Sequence, residues 1–82
     1  MKTEYVEEFA AKIIAANETE VARKDLIRHL TSGTNFIELY ISDQIHPFIM
    51  GKAAETNETI FVSDIPATVA VVIDMLKKKL SI

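Results

Sequence analysis

The sequence predicts an α+β fold: two N-terminal helices, a three-stranded antiparallel meander and a C-terminal helix (ααβββα), in one domain spanning residues 1–82. Three observations predict it. Apolar residues recur at helical spacing through residues 3–31. From Asn35 to Ser42 the spacing changes to strict alternation, the period of a pleated strand. From Ser63 onward a proline-led apolar block closes in three lysines, the pattern of a capped helix. With 49% apolar residues and a net charge of −3, the 82-residue chain is not disordered.

The first helix is expected over residues 3–16. Tyr5, Val6, Phe9, Ala10, Ile13 and Ile14 fall on one side, and Glu4, Glu7, Glu8 and Lys12 on the other. Thr3 is its expected cap. Asn17 interrupts the pattern and is expected to cap the second helix as well, with Glu20 in capping-box position. That helix is expected over residues 18–31, with Ala22, Leu26, Ile27 and Leu30 inward and Val21 at the margin. Ser32-Gly33 stops it, because glycine accepts the left-handed conformation after a helix.

Three strands are expected next. In the first, Asn35 to Ser42, Ile37, Leu39 and Ile41 share one face, and Phe36, Glu38 and Tyr40 the other. The second, Ile45 to Lys52, carries Pro47, which suits only an edge or a bulge. Ala53 to Asn57 reads as a loop, with a helical turn at Ala53-Ala54-Glu55 as the alternative. The third strand, Glu58 to Ser63, points Ile60 and Val62 one way and Phe61 the other. The last helix would cover the Ile37, Leu39, Ile41, Ile60 and Val62 face. In it Val69, Val72, Ile73, Leu76 and Leu80 form one stripe, and Ala67, Val71 and Met75 a second beside it.

Little chemistry is legible. There is no cysteine, so disulfides, thiolate catalysis and cysteine-held metals are excluded. The two glycines stand alone, which excludes a phosphate-cradling loop. His29 lies four residues after Asp25, the spacing of an ordinary helix-surface contact; His46 lies beside Pro47 in a strand. Ser32, Ser42, Ser63 and Ser81 all fall at turns or helix ends, and Glu38 reads as a solvated strand residue. The expectation is a protein that is not an enzyme, with no catalytic residue, cofactor or metal. No run of about 18 apolar residues exists to span a membrane. With no signal-type leader visible, a soluble cytoplasmic protein is expected.

The apolar excess points instead to binding. A helix apolar on two faces must be covered on two sides, and a core this small cannot hide everything. The expected role is a protein-interaction module, accessory, adaptor or inhibitor, acting as a homodimer. Its contacts would be Val71 and Met75 on the last helix, with Phe36, Tyr40 and Phe61 on the outer sheet face as the alternative patch. A second reading is a winged-helix-like nucleic-acid binder using Arg23, Lys24 and Arg28 on the helix at residues 18–31. The negative net charge and a pI near 5.3 oppose it.

Overall fold

The computed structural model describes residues 1–33 and 35–82. Among them the chain forms helices α1 (Thr3–Ala16), α2 (Glu20–Ser32), α3 (Asn35–Thr56) and α4 (Ile65–Lys79), and no strand. The α+β expectation is therefore overturned: the fold is all-helical.

The first two helices and the last are close to their expected bounds, and their ends follow from local chemistry. Lys2, without a side-chain cap bond, precedes α1, so Thr3 is inside the helix. Thr19, not Asn17, caps α2, its Oγ1 accepting from the Ala22 N–H at 3.2 Å. Gly33 takes φ +70 after α2, a backbone state costly for any residue with a Cβ. Asp64 caps α4, with Oδ1 accepting from the Ala67 N–H at 3.0 Å and Pro66 in the first turn. At the far end the Ile82 N–H reaches back to the Lys77 carbonyl at 2.9 Å, while Ser81 adopts φ +58.

The meander is where expectation and structure part. Asn35 to Ser42 and Ile45 to Lys52, expected as two strands, belong with the Ala53 to Asn57 loop to one helix of 22 residues, ended at Asn57 (φ +57). The reason is register. Ile37 and Ile41 share a face at strand period and at helical period alike, since four is even and also close to one helical turn. The helix continues that face through Ile45, all three fully or nearly buried, and turns Leu39 out to 65% exposure. The 58–63 stretch, expected as a third strand, is an irregular connection to α4. Pro47 lies inside α3 rather than on a sheet edge.

One core joins the four helices. Phe9, Ala10 and Ile13 of α1 meet Ile41 and Ile45 of α3 and Val72 and Leu76 of α4; α2 adds Leu26 and Leu30. The closest associations are α1 with α4, α3 with α4, and α2 with α3. Beside this core the Lys52 side chain, only 9% exposed, donates to Glu8 Oε1 at 2.8 Å. Glu55 Oε1 lies at 3.6 Å and the Tyr5 ring centroid at 5.4 Å. The hydrogen bond to Glu8 raises the Lys52 pKa above the ordinary 10.5, with burial pulling the other way and the nearby carboxylates adding to the rise. A raised native value means the contribution is fully present below the unfolded value and lost as pH climbs through the native one. Melting temperatures followed upward from neutral pH should fall less steeply in Lys52→Met than in the parent. Identical alkaline slopes would show that the pair contributes nothing.

Candidate protein-docking surfaces

The expected contact residues fall in three places. Val71 is 51% exposed on the outer side of α4, with Met75 one turn on, half-buried. They border a shallow recess shared with Thr68 and with Met1, Thr3 and Val6 at the start of α1. The aromatic patch is split, because the described residues form no sheet to present it. Phe36 and Tyr40 are neighbours one turn apart on α3, with ring centroids 6.5 Å apart. The His29 ring of α2 lies 4.3 Å from Phe36. Phe61 is elsewhere, 79% exposed in the α3–α4 connection, beside Lys2 and Tyr5. Glu38, expected beside Phe36 and Tyr40, sits on the opposite flank of α3, since a helix separates neighbours by about 100°.

The cations of α2 have partners within the chain. Arg23 turns back onto the end of α1: Nε donates to the Asn17 carbonyl at 3.0 Å and Nη2 to the Ile14 carbonyl at 3.2 Å. The Ile14 carbonyl lies in the last turn of α1 and also accepts from the Asn17 N–H at 3.1 Å, and Asn17 is the residue that follows the helix. The Asn17 side chain adds a third bond, Nδ2 to the Ile13 carbonyl at 2.8 Å. Lys24 pairs with Glu20 and Arg28 with Asp25, each at 3.2 Å and exposed. The strand pair needed for a wing is replaced by α3. Arg23→Ala is expected to cost about 1–3 kcal/mol, because charge-assisted bonds to carbonyls are lost at a helix junction. Thermal or urea unfolding measures it, and an unchanged midpoint would remove the capping role.

Among the described residues no group of three or more His, Cys, Asp and Glu side chains converges to hold a metal. No helix there is long and apolar enough to cross a membrane. Spacing alone did not single out Arg23 as a cap or Lys52 as a buried cation. Lys52 and Glu8 are 44 positions apart, and only the packing of α1 on α3 brings them together. No protein-family model, curated protein or solved structure matches the chain.

Proposed function

We propose that this chain is a non-enzymatic protein-interaction module, of the accessory, adaptor or inhibitor kind, that self-associates through the outer face of α4 in the cytoplasm. Val71 carries the reading. It is a β-branched residue in mid-helix, 51% exposed, in one recess with the half-covered Met75, Met1 and Val6. A symmetric pair of such faces buries the same residues twice, the arrangement a two-fold dimer uses. Apolar area removed from water contributes about 25 cal/mol per Å². The cationic face of α2 supports a nucleic-acid role less well, since its arginines and lysine are engaged within the chain.

Sedimentation over a concentration series tests the proposal. The parent is expected to pass from monomer to dimer as concentration rises, and Val71→Asp to stay monomeric while still folded. A carboxylate is costly in an apolar interface. Only monomer across the whole series ends the proposal, and a Val71→Asp dimer of parental strength ends the role of α4.

A further inference from the structure

The furrow between α3 and α4 is a second uncovered surface, on the other side of α4 from Val71. At about 100° per residue, Ala70, Ile73 and Asp74 fan out on one side of the buried Val72–Leu76 line, and Val71 and Met75 on the other. Leu39 and Glu38 face them from α3. The furrow encloses about 640 Å³. Leu39, Val69, Ala70 and Ile73 are among its apolar lining residues, and Glu38 and Asp74 are its charged ones. No lysine or arginine lines it.

We propose that this furrow docks an amphipathic helix of another protein. That helix would press apolar residues at i, i+4 spacing onto Leu39, Ala70 and Ile73 and place lysines or arginines beside Glu38 and Asp74. The shape favours a helix, because the furrow between two packed helices accepts the side-chain ridge of a third, and small Ala70 lets it approach closely. Other ways of holding a peptide lack their requirements. A strand would need a free sheet edge, and the described residues hold no sheet. A proline-rich segment needs an aromatic-lined groove, and no aromatic residue lines this one. An acidic or phosphorylated segment would meet two carboxylates with no cation to offset them. A small molecule would be poorly enclosed, with Leu39 65% exposed. A second copy inserting the opposite, Val71 face of its own α4 would make a head-to-tail contact, which builds a ring or an open chain instead of a two-fold dimer.

The test uses the full chain and three labelled synthetic peptides. One is a helix-forming peptide with leucines at i, i+4 spacing flanked by lysines. The second has glutamates in place of the lysines, and the third has its leucines shuffled. Fluorescence anisotropy is expected to give the lysine peptide about tenfold or tighter binding than either other, weakening as salt rises. Leu39→Asp should lose that binding with an unchanged far-UV spectrum, since Leu39 lies outside the core. Glu38→Lys combined with Asp74→Lys should reverse the preference between lysine and glutamate peptides. Val21→Asp, 74% exposed on α2, should bind as the parent does. Equal affinity for the first two peptides, binding that survives Leu39→Asp, or no binding at all would overturn the proposal. So would a parental self-assembly that Leu39→Asp dissolves, which would make a second copy the occupant. Dimerisation through Val71 is read separately by sedimentation, so either proposal can fail without the other.

Discussion

Truncating Ile41 to alanine is expected to remove about 3–4 kcal/mol of stability, whereas Leu39→Ala should change it by less than about 0.5 kcal/mol. The two residues are neighbours in composition and in sequence. On a strand they would share the buried face and cost alike. In α3 Ile41 is fully buried and Leu39 is 65% exposed. Ile41 belongs to the one core cluster that all four helices supply, so the cavity left by its side chain has little freedom to collapse. A domain of this length holds about 4–12 kcal/mol in total, so the loss is a large share of it. The melting temperature should fall by roughly 12–30 °C. Similar costs for the two variants in urea or thermal unfolding would contradict the helical register of α3.

Replacing Pro47 by alanine is expected to stabilise the protein by about 2 kcal/mol. Pro47 lies inside α3. It has no N–H to give the Asp43 carbonyl four residues back, and its ring crowds that carbonyl; together these cost about 3 kcal/mol in a helix interior. Alanine removes the cost but returns freedom to the unfolded chain, which takes back about 0.4–1 kcal/mol. The side chain is exposed, so little packing is lost on truncation. At a strand edge the same change would bring no comparable gain, because an edge N–H can face solvent. A rise of roughly 8–16 °C in melting temperature is the expected reading, and a neutral or lower value would argue that α3 is not continuous through residue 47.

The legible and illegible parts of this chain divide along one physical line. In α1 and α2 the apolar residues keep mainly to one side, in α4 they form two stripes of which one is buried, and short oxygen-bearing or glycine residues mark several ends. Phe9, Ile13, Leu26, Leu30, Val69, Val72 and Leu76 could therefore be named as core from spacing alone, and the structure buries all of them. In α3 the apolar residues surround the helix: Ile37, Ile41 and Ile45 face inward while Phe36, Leu39 and Met50 face out. With no single stripe the 3.6-residue period is masked. β-branched residues then tip local preference toward strands, and Pro47 and Gly51 speak against an unbroken helix. The signal that survives is the four-residue spacing of Ile37, Ile41 and Ile45, and packing against α1 and α4 overrides the weak propensities that oppose it.

The candidate surfaces divide in the same way. That α4 is too apolar for one buried face could be read from its two stripes, and Val71 does reach solvent. Which aromatics stand together could not, because Phe36, Tyr40 and Phe61 share a face only if a sheet exists. By itself the sequence determined helices α1, α2 and α4, the glycine stop after α2 and the proline-led start of α4, while the caps expected for α1 and α2 are not the ones used. Only tertiary structure decided that residues 35–56 are helical, that Arg23 closes α1, that Lys52 meets Glu8, and that Leu39 and Ile73 line one furrow. Each of these depends on groups brought together across the chain, and periodicity records only what lies within a few turns of each residue.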